Sequence, residues 1–586
     1  RNHRRGLLLG NQSFGKGSVQ TIIPYRPRRS KTDGSALKLT IAQYLTPGDI
    51  SIQGTGIVPD IALESVFIDE GEIYLTPRKS TKESDLDQAL SNNKTQQQQT
   101  RRTLNILDTD EMLDRDEQTR RENSGEFEAD LHVRMAKKLL LEAGHPHADD
   151  FYQGAGKALD EIKSAEDLRL VKALKAEGID WTDGSAGENS GKALVTIDWP
   201  NRFEAGSTHQ LAVVVKNNSI TPMHRVVVRS KANLDLFDHR EWVFGRIGPG
   251  EEARRILKFE VPMSIHDRSE WVRFEAMAQG GQINTPESKT IVIASAKRPR
   301  LAYTLSVDDG NDGLAASGET IQLNFAVGAL DADAEDIHLS VRTKSASRVK
   351  MVKARAEQEK LAAGATWNTS LSVKVRKSDK PIEMTVNLGV RKHGLWYTER
   401  LILPVTEGVA KAKPCEAKTV VAKSKTELLR NALEQSFGLG ELKAGEGLAC
   451  VDQVGAYHRV RLPRQGIAFV ASDDVTPGSG PSPRLAFVRI PPQITLPDGL
   501  KTDLVKGTQL MLRAQAKDDH PLHNVVVYRG RKKVLFTPGG RPAVAIKRAI
   551  DLEPGQNLIT LHAREGVRYG ATKSFWVLRR EGWEPK

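Results

Sequence analysis

The residues best placed to do chemistry stand near the start of the chain, in LLLGNQSFGKGSVQTIIPY, residues 7 to 25. Gly10-x4-Gly15-Lys16 has nearly the spacing of a phosphate-binding P-loop. That loop needs Ser or Thr directly after the lysine to hold magnesium, and a helix beginning there so that backbone N–H groups cradle phosphate. Gly17 occupies the Ser/Thr position, and Val19, Thr21, Ile22, Ile23 and Pro24 predict a proline-broken strand instead of a helix. The nucleotide reading therefore fails on context. What remains is a lysine held between two strands by a turn that Gly15 and Gly17 allow to bend tightly. A desolvated lysine loses proton affinity and can act as general base toward a serine hydroxyl. Gln20, four residues on, has a carboxamide that can orient the amine. An isolated turn lysine is more often a solvated surface group, so the surroundings must decide.

Other constellations are weaker. His145-Pro-His147-Ala-Asp149-Asp150 suggests metal ligation, but a proline between the two histidines keeps them off a shared helix face; a polar interhelix loop is expected. Asp308-Asp-Gly-Asn-Asp312-Gly313 with Glu319 partly imitates a calcium loop, yet Gly310 stands where a ligand is needed, which favours an Asp/Asn/Gly turn. Cys415 and Cys450 lack metal-ligand spacing, and either one disulfide or two inert thiols is compatible with them. No metal and no cofactor are expected.

The elements around Lys16 settle its context. Arg5-GLLLGNQ-Ser13-Phe14-Gly15-Lys16-Gly17-Ser18-Val19-Gln20 resembles the carboxy-terminal processing (tail-specific) peptidases, in which FGKG[ST]VQ carries the lysine of a Ser–Lys dyad. The resemblance continues through Gly34-SALKLTIAQYLTPGDISIQGTGIVPDI-Ala62. It implies that Lys16 is the general base and Gln20 its orienting partner. It also implies a nucleophilic serine about two dozen residues before Lys16, hence before Arg1. Ser13 and Ser18 sit too close in sequence to take its place. A substrate-gating PDZ domain and the oxyanion glycine would likewise lie upstream. The chain is thus expected to be a fragment of an exported serine endopeptidase, periplasmic or at the cell envelope, inert alone and with buried apolar faces left open. The alternative is a non-enzymatic envelope scaffold or adhesion protein carrying an inactive peptidase remnant.

With 586 residues, several domains are expected. No apolar run is long enough to span a membrane. A net charge of +12 invites a nucleic-acid reading, but 74 acidic residues interleave with 86 basic ones, and runs such as Arg26-Pro-Arg-Arg29 lack stacking aromatics. A solvated basic surface is expected, with protein or peptide substrates as partners and no nucleic acid.

The predicted architecture is multidomain: a partial α/β peptidase domain, a helical linker region, then mainly β. Residues 1–77 are the catalytic remnant, with strands near 6–10, 19–24 and 36–44. Residues 78–129, including Ser91-NNKTQQQQ-Thr100, read as a flexible low-complexity linker. Residues 130–185 read as helical, with Gly144 and Gly178 as stops and a cap at Ser164 and Asp167 ahead of Leu168. Three units share an alternating layout and predict immunoglobulin-like sandwiches at 193–296, 298–406 and 485–580. In each, a glycine opens one strand and a later glycine another: Gly206 and Gly250, Gly318 and Gly364, Gly507 and Gly555. Residues 425–476 resemble a bacterial SH3-like barrel, of a kind that contacts cell-wall polymer or partner protein in envelope enzymes. PGSGPSP, residues 477 to 483, is then a linker.

Overall fold

The computed structural model describes residues 6–25, 35–69, 72–76, 82–85, 98–107, 131–144, 147–184, 193–284, 286, 288–343, 347–376, 380–408, 411–464, 466–497, 507–565 and 570–580. The basic run at 26–29, His145 and most of 86–130 lie outside the described residues. The chain is mostly β, arranged in several sheets with separate cores, and among the described residues three α-helices lie between residues 131 and 176.

The Lys16 region is built from eight strands: β1 (Leu9–Gly10), β2 (Ser18–Tyr25), β3 (Ser35–Gln43), β4 (Leu45–Thr46), β5 (Ile50–Ser51), β6 (Ile61–Asp69), β7 (Glu72–Tyr74) and β8 (Arg102–Leu107). β6 is the organiser. It pairs in parallel with β1 on one side and β8 on the other, while β7 folds back antiparallel on its end. Ile61 and Leu63 of β6 and Leu104 and Ile106 of β8 alternate onto one buried face. Helices α1 (Leu131–Ala143), α2 (Ala148–Gly154) and α3 (Gly156–Ala176) cover that face through Met135, Leu139, Ala158, Leu159 and Ile162.

Three expectations are corrected here. Part of the predicted 78–129 linker is a strand of the sheet: alternation in Arg102-Thr-Leu-Asn-Ile-Leu was hidden by the polar, glutamine-rich run before it. The helical segment is not a linker either, because it roofs the same sheet and shares its core. Ser164 and Asp167 do not cap a helix; they lie inside α3, whose apolar face continues through them from Ala158 to Leu174. Gly178 does end that helical stretch. It takes φ +71°, its N–H bonds to Lys175 O at 3.0 Å, and Ile179 N–H returns to Leu174 O at 2.9 Å.

From residue 193 onward, pairs of sheets face each other. In the first pair, Thr208–Asn217 lies between Ala193–Asp198 and Glu252–Glu260, opposite a sheet centred on Met223–Lys231 and Arg268–Ala278. Trp199, Phe203, Phe237, Trp242 and Phe274 fill the space between them. The second pair repeats this plan: Thr320–Leu330 against Thr366–Val375 in one sheet, Ala334–Thr343 against Ile382–Val390 in the other. The third departs from the predicted repeat. Gln509–Lys517 pairs with Ala543–Asp551, while Gly555–Arg564 joins Asn524–Arg529 in the opposite sheet. Both candidate segments alternate, so periodicity alone could not choose between them. Strands between Thr419 and Pro477 form a separate seven-stranded sheet with its own core. A disulfide between Cys415 and Cys450 ties its entry segment to it.

These bodies are joined by buried polar contacts as well as by chain. Val66 and Ile68 of β6, Leu174, Ile179 and Trp181 share a core with Val227 and Val243 of the first sheet pair. Beside it, buried Glu241 accepts from Leu75 N–H at 2.5 Å, from Thr76 Oγ1 and from Arg229 Nε at 2.7 Å. Further along, Arg489 reaches Glu399 at 2.7 Å and Glu565 at 3.1 Å, linking the second and third pairs.

Candidate active site

Lys16 sits in the short run between β1 and β2, where the chain lies against residues 51–57. Ser13 N–H bonds to Ile57 O at 3.1 Å, Ile57 N–H to Ser13 Oγ at 2.8 Å, and Gly54 N–H to Gly15 O at 2.8 Å. The two segments approach so closely that side chains are excluded between them. A Cβ on Gly15 would lie 2.7 Å from Gly56 N, and one on Gly56 would fall inside the carbonyl oxygen of Ser13. Both glycines also take positive φ, +91° and +68°. Gly15 of FGKG and Gly56 of GTG therefore serve one purpose, close apposition of two backbones.

The turn is fixed from below by Gln53, which is 3% exposed. Its Oε1 accepts Gly17 N–H at 2.9 Å and its Nε2 donates to Glu83 Oε1 at 3.3 Å. Tyr44 braces the other side, donating its hydroxyl to Lys16 O while its N–H bonds to Gly17 O at 2.9 Å. The Lys16 side chain emerges 43% exposed and donates from Nζ to Ser18 Oγ at 3.2 Å and to Glu83 Oε1 at 3.4 Å.

Gln20 does not share that arrangement. It lies exposed on β2 and donates to Thr40 Oγ1 at 3.4 Å, across the hairpin. The carboxylate and carboxamide nearest Lys16 come instead from Glu83 and Gln53. Sequence reasoning missed Glu83 because it stands in the polar Ser80-Thr-Lys-Glu-Ser-Asp-Leu stretch, 67 residues from Lys16, with no periodic signal.

Around the site the surface is apolar. β2 and β3 form a two-stranded ribbon on which Ile22, Leu37 and Ile41 are 66%, 56% and 59% exposed, with Val19, Ile23, Leu39 and Tyr44 also open. A lone two-stranded ribbon is marginal in water, and such apolar exposure marks a surface that needs cover. β1, at the sheet edge, runs beside an apolar groove lined by Leu7, Leu9, Leu139, Leu140 and Phe151.

The other candidate sites resolve differently. The Asp308 loop turns its carboxylates onto its own backbone: Asp308 Oδ1 accepts from Gly310, Asp309 Oδ1 from Asn311 and Gly313, Asp312 Oδ1 from Leu314, and Glu319 Oε2 from Ala316. This is the turn geometry of Asp and Asn. Burial pushes the Asp312 carboxyl up to about 6. Asp149 pairs with Arg101 at 2.8 Å. Among the described residues, the side chains close enough to share a metal are Cys415, Cys450 and His458, the first two disulfide-bonded, and half-buried Asp518 with exposed Asp519 and His520. No helix among the described residues is long and apolar enough to cross a membrane.

Comparison with known proteins bears on the same stretch. Residues 1–63 match the model of peptidase family S41. Over 63 residues the chain is 56% identical to the carboxy-terminal-processing protease of Bartonella bacilliformis, covering 11% of this chain and 13% of that one. It is 36% identical over 64 residues to the chloroplastic C-terminal processing peptidase of Tetradesmus obliquus, 11% of this chain and 12% of that one. A probable CtpA-like serine protease of Staphylococcus haemolyticus is 40% identical over 65 residues, again 11% and 12%. The chain thus spans roughly an eighth of the length of the curated relatives it matches.

Proposed function

We propose, from the match of residues 1–63 to peptidase family S41 and their likeness to carboxy-terminal-processing proteases, that this chain carries the lysine-bearing part of a serine endopeptidase. Its activity would be hydrolysis of peptide bonds in protein substrates through a Ser–Lys dyad. Lys16 is the general base and the serine is supplied by sequence upstream of Arg1. In the acylation step the serine Oγ attacks the scissile carbonyl and its proton passes to the neutral Lys16 Nζ. The resulting ammonium then protonates the leaving amine, and water repeats the cycle on the acyl-enzyme. Gln20 retains a role on this reading only after a change of partner from Thr40 to Lys16.

The observation that carries the proposal is the fit of Lys16 to such a task. Its backbone is fixed by Gln53, Tyr44 and the Gly15–Gly56 apposition, while its amine projects from a rigid turn. The open apolar ribbon and the edge at β1, unpaired among the described residues, support the second half of the reading. They are the surfaces that the rest of a peptidase domain, including the serine, would cover, and covering them would desolvate Lys16.

For the remainder of the chain, the facing sheet pairs are read as three immunoglobulin-like sandwiches and the Thr419–Pro477 sheet as an SH3-like barrel. Their role is to hold substrate or anchor the enzyme at an envelope surface in an exported, periplasmic setting. The disulfide is compatible with that oxidising compartment. The test is cleavage of a substrate bearing an apolar free C-terminus by the full-length gene product, with and without alanine at the upstream serine. Cleavage lost with the serine is expected. A full-length gene lacking such a serine would leave the envelope-scaffold reading.

A further inference from the structure

We propose that Glu83, acting with Gln53, is a further residue that positions Lys16, beside the role that the family resemblance implies for Gln20; this role rests on the peptidase reading of the site. Glu83 lies beyond the matched family segment, which ends at residue 63. Yet the short 83–85 turn is fastened to the Lys16 run at three points. Glu83 N–H bonds to Phe14 O at 2.9 Å, Lys82 Nζ to Gln12 Oε1 at 2.6 Å, and Glu83 Oε1 receives Lys16 Nζ at 3.4 Å.

The carboxylate is itself fixed. Its side chain is 9% exposed, and the Gln53 carboxamide donates to the same Oε1 while accepting Gly17 N–H through its other end. Gln53 thereby connects the backbone of the lysine turn to the group that holds the lysine's amine. A long, half-exposed lysine side chain otherwise samples many rotamers; a buried, doubly anchored acceptor selects among them. The second oxygen, Glu83 Oε2, is buried without a hydrogen-bond partner in this structure. A bare buried carboxylate oxygen is costly, and such groups concentrate where a protein has a use for them beyond packing.

Two measurements test the role and separate it from the peptidase reading. In the full-length gene product, Glu83→Ala lowers kcat roughly 10- to 100-fold with KM within about twofold, because the base is misplaced while substrate contacts survive. Glu83→Gln, which keeps an acceptor oxygen at the same reach, recovers most of that loss. Independently of catalysis, an amine-acylating reagent read by mass spectrometry labels Lys16 about threefold faster in Glu83→Ala, with Lys216 and Lys258 unchanged. Unaltered Lys16 labelling, or full activity of Glu83→Ala beside an inactive Lys16→Ala, overturns the proposal. If instead Lys16→Ala itself cleaves normally, the peptidase reading of the site falls, while the labelling result still reports the Glu83–Lys16 contact.

Discussion

Replacing Gly56 by alanine tests the packing that presents Lys16. The added Cβ would penetrate the carbonyl oxygen of Ser13 and lie 2.9 Å from its carbon, at a backbone φ of +68°. The left-handed conformation costs an alanine about 1 kcal/mol. Relieving the clash requires the 13–17 run to move away from residues 54–57. That breaks the Ser13–Ile57 pair of hydrogen bonds, at 3.1 and 2.8 Å, worth about 1 kcal/mol each. The sum, about 3 kcal/mol, corresponds to a local opening equilibrium raised more than about 100-fold. Gly54→Ala is the matched control. Its φ is +80°, but a Cβ there meets nothing within 4 Å, so the conformational cost of about 1 kcal/mol stands alone. Hydrogen exchange of the Ser13 and Ile57 amides reads the difference directly. Gly56→Ala should exchange at least about tenfold faster than Gly54→Ala, and cleavage by the full-length protein should fall in the same order. Equal exchange in the two variants would refute the argument that backbone apposition builds the site.

Other expectations follow from the same contacts. Leu174→Ala, at a fully buried position between β6 and the first sheet pair, should cost about 2–5 kcal/mol and lower the denaturant midpoint of both bodies together. Separate transitions would show that the shared core does not couple them. Reduction of the Cys415–Cys450 disulfide, which closes a loop of 35 residues, should destabilise the Thr419–Pro477 sheet by about 3–4 kcal/mol, seen as a lower melting temperature in reductant. Asp312 should show a pH dependence of defined sign. Burial pushes its folded pKa up to about 6 from the ordinary carboxyl value of 3.8, so the folded state keeps a proton that the unfolded chain releases. Its contribution to stability is therefore greatest below pH 4, falls between about pH 4 and 6, and is constant above. Asp312→Asn, which keeps an oxygen for Leu314 N–H, should be more stable than wild type at pH 8 and equal to it below pH 4 in denaturant melts.

The sequence carried the lysine turn clearly, because Gly15-Lys16-Gly17 and Gly54-Thr-Gly56 stand in short motifs, although the apposition that requires Gly15 and Gly56 joins segments distant in the chain. Alternation likewise announced strands in each sheet pair, such as Thr208–Asn217, Thr320–Leu330 and Gln509–Lys517. It failed at the third pair, where Gly555–Arg564 joins the opposite sheet and Ala543–Asp551 pairs with Gln509–Lys517, because only pairing across the sheet distinguishes them. β8 was obscured by the polar residues before it; Leu104 and Ile106 are too few to signal a strand without β6 beside them. α3 was started too late, at Ser164, because a capping residue inside an apolar helix face looks the same in sequence as one at its beginning. Glu83 was invisible for a different reason. Its significance comes only from reaching Lys16 and Gln53 across the fold, and no short-range pattern encodes that contact.

The most direct test is Lys16→Ala in the full-length gene product, assayed by cleavage of a tail-tagged protein substrate with folding checked by circular dichroism. The account predicts a folded protein with cleavage abolished. A folded Lys16→Ala variant that cleaves at the wild-type rate would contradict it.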